Sequence, residues 1–324
     1  LRHRIWLGAL LCLTASLSWG AMFPVANDAF FHIDPFYFTI FRYGSVTLIL
    51  IVALYWREGK EAFRLEGKGF SLWFFGTMAF TIYNVLIFFG QDLLGEPGIM
   101  VASIMEALMP TISIVIVWLL YKQRPHPVTI SCVVVAFIGV FLVITNGDVI
   151  SFFTAINDII PSFIIFIAVT GWVVYTMGGE HFAGWSALRY STLSCLLGTV
   201  TASLVVMLVT VSGYISVPTI ENIKIVSPHI LFMIIFPGVI ALVGWNVGVN
   251  ILSPLNSLLF INFVPVTTLV ISHFQGYTIT MYDYIGAACI IVSLLTNNVF
   301  LRLQLRKNKQ KQPTFKEQTQ ESVS

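Results

Sequence analysis

The chain has 324 residues, of which 57% are hydrophobic and only 10% charged, with 27 Phe and a net charge of +2. A soluble domain carries about 25% charged residues, so this composition excludes a water-soluble globular protein, and the near-neutral balance gives no basis for nucleic-acid binding. The charges that exist lie between long apolar runs, which marks an integral membrane protein.

A bilayer core needs ~20 apolar residues per helix. Taken in order, the apolar runs predict spans at Ile5–Ala26, Phe36–Trp56, Phe70–Phe89, Gly98–Tyr121 and Val128–Thr145, then Ile159–Met177, Ala183–Val211, His229–Leu252, Leu255–Phe274 and Tyr282–Leu301. Breakers separate them: Asp34-Pro35, Glu96-Pro97, Pro125-His126-Pro127, Asn146-Gly147, Ser227-Pro228 and Ser253-Pro254. The first run follows a basic start, as a signal peptide does, but exceeds an h-region of ~7–15 residues and is read as a retained span. The expected fold is an all-α polytopic membrane protein of ten helices.

Fourteen of the 17 Lys and Arg fall on one side if the N-terminus is cytoplasmic: Arg2, Arg4, Arg57, Lys60, Arg64, Lys68, Lys122, Arg124 and the six of the tail from Arg302 to Lys316. The positive-inside rule then places both termini in the cytoplasm, with a basic tail over 302–324 that lacks apolar periodicity and is expected to be disordered.

The second five spans echo the first five. Phe41-Arg42-Tyr43 matches Leu188-Arg189-Tyr190, Met109-Pro110-Thr111 matches Val264-Pro265-Val266, and Ile144-Thr145-Asn146 matches Leu295-Thr296-Asn297, at offsets of 147, 155 and 151 residues. Five is odd, so the halves 5–145 and 159–301 are expected to be inverted relative to each other. Such repeats mark alternating-access transporters.

Polar groups inside spans are costly unless paired or wet, so they are the site candidates. Glu106 lies mid-span, with Ser103, Pro110 and Ser113 on its face. Its repeat counterpart is Ile261, so it is not repeat scaffolding. Two readings stand: a coupling carboxylate or counter-charge, and a protonated Glu bonded to a neighbouring helix. Tyr83, Asn84 and Gln91 in the third span, Trp172 and Tyr175 in the sixth, and Trp245, Asn246, Asn250 and Ser253 in the eighth form a candidate cavity lining. Taken singly, each is better explained as interhelical glue; the set together reads as a cavity lining. Gly244 and Gly248 predict close helix packing on the eighth span. Arg42 and Arg189 either bind an anion or snorkel at helix ends. Pro110 and Pro265 are expected to kink their spans beside the pocket.

Cys12, Cys132, Cys195 and Cys289 lie in apolar runs without CxxC spacing, and the six His are scattered, so no metal or other cofactor is expected. No phosphate-binding loop occurs, which excludes ATP-driven transport by this chain alone.

Ser18-Trp19-Gly20 to Phe23-Pro24, Pro35 followed by Phe41-Arg42, the Pro110 and Pro265 spans, and Asp283-Tyr284-Ile285-Gly286-Ala287-Ala288 together resemble the EamA family of the drug/metabolite transporter superfamily. The resemblance covers both halves. It implies a cell-membrane carrier with a central cavity and a small-molecule substrate such as an amino acid, a metabolite or a drug, often moved outward. A homodimer is compatible with it. The Glu that the family places after the fourth and ninth spans is here Gln123 and Gln275. The expected function is a secondary exporter of a small metabolite; the alternatives are an importer and a non-transporting receptor or scaffold. An intramembrane enzyme would need a nucleophile motif, paired acids or a metal triad, and the sequence has none of these.

Overall fold

The computed structural model describes residues 2–122, 124–145, 147 and 156–311. Gln123, Asn146 and the end of the basic tail, 312–324, lie outside them. Among the described residues the regular secondary structure is all helical: α1 (Arg2–Phe30), α2 (Pro35–Glu58), α3 (Gly69–Thr77), α4 (Asn84–Leu94), α5 (Glu96–Glu106), α6 (Met109–Tyr121) and α7 (Pro127–Thr145), followed by α8 (Ile156–Gly178), α9 (Ala187–Val211), α10 (Ile220–Met233), α11 (Ala241–Leu252), α12 (Pro254–Ser257), α13 (Phe263–Gln275) and α14 (Met281–Lys311). α14 runs on past Leu301, where the sequence ends the last span.

Among the described residues, seven helical stretches are long and apolar enough to cross a membrane: Arg4–Phe30, Pro35–Glu58, Gly69–Leu94, Ile159–Phe182, Ala187–Val211, Ile220–Leu252 and Leu258–Gln275. Glu96–Glu106 and Met109–Leu120, bent by 47°, make an eighth if taken as one broken span. Pro127–Val143 and Met281–Asn297 are apolar but shorter.

Local chemistry sets the helix ends. Asp34 caps α2 by accepting from Phe36 N at 2.9 Å, with Pro35 at the first helical position. Ser186 caps α9 through Arg189 N at 2.9 Å. Gly276 closes α13 in the left-handed region at φ 82°.

Two spans are continuous only through π-helical turns, Met78–Tyr83 between α3 and α4 and Ile234–Ile240 between α10 and α11. The second contains Pro237, whose missing N–H and ring clash disturb the preceding turn. Such wide turns free backbone carbonyls, which inside a bilayer need partners from side chains of the same span or of other helices. They find them. Asn84 Nδ2 donates to Ala79 O at 2.7 Å, and Trp19 Nε1 donates to Pro237 O at 3.1 Å. Pro24 likewise leaves Gly20 O without its helical donor, and Thr268 Oγ1 of α13 supplies one at 2.8 Å.

The helices of the two halves interleave. α1 packs on α11 and α13, while α8 packs on α4 and the Met78–Tyr83 turn; α9 lies against α2 and α3; α7 pairs with α14. Of the two glycines expected to pack closely, Gly248 does so in the α1–α11 contact, where a Cβ would lie 2.4 Å from Cys12 Sγ, whereas a Cβ on Gly244 would come no nearer than 3.6 Å to Leu11.

Candidate functional site

The site begins at the break between α5 and α6. Pro110 sits in the first turn of α6, where its missing N–H costs little. That missing donor also ends the α5 hydrogen-bond ladder, and Ala107 and Leu108 make the turn. Pro265 plays a similar part in the first turn of α13, after the tight 3₁₀ stretch Leu258–Asn262. Pro110 therefore begins a new segment at a 47° bend, whereas Pro265 lies where the 3₁₀ stretch passes into α13 within one helical span, Leu258–Gln275. Glu106, the last residue of α5, is fully buried. Tyr83, the last residue of its π turn, donates its hydroxyl proton to Glu106 Oε1, whereas Oε2 has no partner.

Around this carboxylate lies a chain of rings drawn from both halves. The Tyr83 ring is 5.0 Å from Trp172, Trp172 is 5.1 Å from Trp19, and Trp19 is 5.1 Å from Trp245, the two indole pairs meeting edge to face. Trp172 also contacts Tyr175, one turn on along α8, at 5.2 Å. Trp245 Nε1 donates to Thr176 Oγ1 at 3.3 Å, but Trp172 Nε1 has no partner. Below the rings, Asn246 Nδ2 donates to Tyr175 OH at 2.9 Å and to Ser191 Oγ at 2.8 Å. Tyr190 stacks on Tyr175 at 5.1 Å and donates to its carbonyl, and Ser194 lies 3.3 Å from the Tyr175 hydroxyl.

The two repeat-related arginines differ. Arg42 is inside α2, 1% exposed, rather than at a helix end. Its Nη1 reaches Asn84 Oδ1 at 3.4 Å and Met22 Sδ at 3.8 Å, and its guanidinium lies 4.6 Å from the Tyr43 ring centroid. Its Nε has no partner. No ion pair joins it to Glu106 among the described residues. Arg189 instead pairs with Glu66 at 2.8 Å, donates to Arg64 O and lies 3.9 Å over Trp185. That set joins the 59–68 and 179–186 connections at one end of the molecule.

Of the residues singled out in sequence, Glu106, Tyr83, Asn84, Trp172, Tyr175, Trp245, Asn246 and Arg42 come together. Asn250 does not: α9 begins only at Ala187, leaving Asn250 exposed in a groove of about 560 Å³ with Arg4, Ile5, Ala187 and Val247. Ser103 and Ser113 are buried but turned onto their own helix carbonyls, Met100 O and Pro110 O. Gln91 crosses to Phe23 O at 2.9 Å, and Ser253 takes φ 76° between α11 and α12. Gln275 is exposed and reaches Asp28 Oδ2 at 3.4 Å. Sequence reasoning missed Trp19, Thr176, Tyr190, Ser191 and Ser194. Trp19 carried a signal, because a Trp in the middle of a span is remote from the interfacial belt where Trp is enriched. Among the described residues, no three His, Cys, Asp or Glu side chains gather as metal ligands, and the four cysteines are unpaired.

Residues 6–145 and 159–299 each match the EamA-like transporter family. The chain is 50% identical over 323 residues to the uncharacterized transporter YrdR of Bacillus subtilis (strain 168), covering all of this chain and 99% of that one. It is 27% identical over 298 residues to the uncharacterized transporter YyaM of the same strain, covering 91% of this chain and 94% of that one. A solved structure described only as "Crystal structure of protein" has the same fold, with a TM-score of 0.67 at 17% identity over 92% of this chain and 98% of that one. With both halves matched, this multi-pass membrane protein belongs to the EamA-like transporter family.

Proposed function

We propose that this protein is a secondary transporter of the drug/metabolite type that exports a small metabolite, such as an amino acid, across the cell membrane by alternating access. The observation that carries the reading is Glu106: a buried carboxylate with one unpartnered oxygen, at a helix break, among rings contributed by both halves. Buried ionisable groups at membrane depth mark substrate or ion pathways, and binding beside broken helices at a repeat junction is the recurrent transporter arrangement.

Two inverted five-helix repeats, 5–145 and 159–301, fit the packing. Exchanging the halves turns the α1–α11 contact into the α8–α4 contact, while the α2–α9 and α7–α14 pairs map onto themselves. The π turns begin 156 residues apart, close to the offset of the two prolines. Taking the bent pair and the two shorter apolar helices as spans gives ten crossings.

A cytoplasmic N-terminus is favoured by which groups share an end. Arg4 lies beside Ala187, Ser186 donates to Glu58 at 2.6 Å, and Lys68 donates to His181 O at 3.0 Å. A second groove of about 670 Å³, lined by Arg57, Glu58, Ser186 and Gly244, adjoins the first there and gives that end an approach toward the core. In this reading the halves rock about the ring cluster, and Glu106 tunes its charge.

The test is uptake into proteoliposomes holding the full chain, with pooled metabolites, with and without an imposed pH gradient. Movement of one pool above empty liposomes supports the reading, and its direction under a gradient separates export from import. No movement of any pool contradicts it and favours a receptor or scaffold.

A further inference from the structure

α2 and the span that ends in α11 meet and then part. They touch at Val46 and Gly238, where a Cβ on the glycine would lie 2.5 Å from Val46 Cγ2. Toward the end that carries Arg57, each has a different neighbour. Thr192 Oγ1 donates to Leu50 O at 3.3 Å, which keeps α9 on α2, while Gly248 lets α11 close on Cys12 of α1. Between the two pairs lies the groove of about 670 Å³, with Leu50, Ala53 and Arg57 on one wall and Val239, Val243 and Val247 on the other. A buried hydrogen bond, Asn246 Nδ2 to Ser191 Oγ at 2.8 Å, joins α11 to α9 on its inner side. Its outer side is open: Ala53 also lines a shallow hollow with Leu48, Ile49, Val52 and Trp56, the exposed apolar face of α2 that meets lipid. The groove has the depth of one leaflet, since the helical stretch from Val46 to Arg57 rises about 16 Å, half of a hydrocarbon core of ~30 Å. Trp56 and Trp6, 81% and 69% exposed, share the Arg57 end and mark it as headgroup level. The chemistry changes there too. The adjoining groove of about 560 Å³, which shares Ala187 and Val247, adds Arg4 beside Arg57. Both arginines are exposed, and neither is ion-paired among the described residues. Glu58, the acid at this end, is engaged by Ser186 Oγ at 2.6 Å.

We propose that this groove is a binding site for one anionic phospholipid, such as phosphatidylglycerol, from the leaflet on the Arg57 side. Arg57 and Arg4 bind its phosphate, a group that guanidinium matches in charge and in planar geometry. One acyl chain lies between Leu50 and Val243 and ends at the Val46–Gly238 contact. A zwitterionic head group would bring an ammonium to the same two arginines and is bound less tightly. The assignment does not depend on the transport reading. Because α2 belongs to one half and α11 to the other, the lipid is a wedge between them.

The test uses the full chain in phosphatidylcholine vesicles doped with a photoactivatable lipid, either phosphatidylglycerol or phosphatidylcholine carrying the same diazirine-bearing chains. Labelled peptides are identified by mass spectrometry. Phosphatidylglycerol is expected to label the stretches 50–57 and 239–247 more than phosphatidylcholine does, by about fivefold for each arginine. Arg4→Gln with Arg57→Gln should bring that labelling down to the phosphatidylcholine level, while labelling of the exposed α9 face at Leu204 and Leu208 stays as it was. Ala53→Phe, which fills the groove and keeps both arginines, should lower labelling of the two stretches by either lipid. Equal labelling of the wild-type groove by the two lipids, or phosphatidylglycerol labelling no stronger there than on the α9 face, overturns the site. Unchanged labelling by phosphatidylglycerol in the double variant overturns it as well. Should the double variant not fold, the wild-type comparison and Ala53→Phe decide between these outcomes.

Discussion

Trp19 donates its indole proton to the carbonyl of Pro237 at 3.1 Å, tying the first helix of one half to the π turn of the other. The same indole lies edge to face on Trp172 and Trp245, so one side chain satisfies a backbone group freed by helix distortion and also builds the wall of the core.

Trp19→Phe keeps a ring in that wall but removes the donor. Losing one partner of a buried hydrogen bond costs about 1–3 kcal/mol. The variant should unfold at a temperature lower by a few degrees in detergent, read by thermal denaturation of the purified chain. An unchanged midpoint would mean that Pro237 O finds another donor.

Gly76 and Gly198 set how closely α3 and α9 approach. A Cβ on Gly76 would lie 2.3 Å from Ser194 O, and one on Gly198 would lie 2.2 Å from Gly76 O, both backbone atoms that cannot rotate away. Gly76→Ala should destabilise by roughly 1–3 kcal/mol through overpacking. Gly44→Ala, with nothing within 4 Å of the added carbon, should be neutral or slightly stabilising because alanine favours helix. Thermal midpoints of the two variants against wild type check the contrast.

Glu66 answers to pH. Hydrogen bonds from Trp185 Nε1 and then from Arg189 hold its carboxyl below the ordinary glutamate value. A depressed value in the folded state means that the contact contributes above the unfolded value of about 4.3 and is lost as pH falls through the lower folded value. The group is exposed, so the effect on global stability is small. Trp185 fluorescence should change on acidification below about pH 4.3, and the change should vanish in Glu66→Gln.

Much of this was legible in the sequence, and the parts that were not have a common cause. Apolar length and breakers located the helices, because burial in lipid acts on contiguous runs. Glu106 stood out because a carboxylate in an apolar run is costly wherever it sits. The proline breaks were expected as kinks, but their placement in first turns was not, since that depends on where the preceding helix segment stops. The π turns left no periodic trace, because one extra residue per turn over six or seven residues does not alter an all-apolar pattern. Trp19, Tyr190 and Ser194 gained their roles from partners on other helices. Asn246 and Asn250 look alike in sequence at i and i+4, yet the start of α9 at Ala187 buries one and exposes the other.

Transport by Glu106→Gln against wild type, in proteoliposomes matched for folded protein, tests the central role of the buried carboxylate most directly. The variant keeps the side-chain volume, and it should lose substrate movement by about tenfold or more, the scale of a charged hydrogen bond. Wild-type uptake by that variant, with the same response to an imposed pH gradient, would contradict a role for Glu106 in transport and reduce it to a packing residue beside Tyr83.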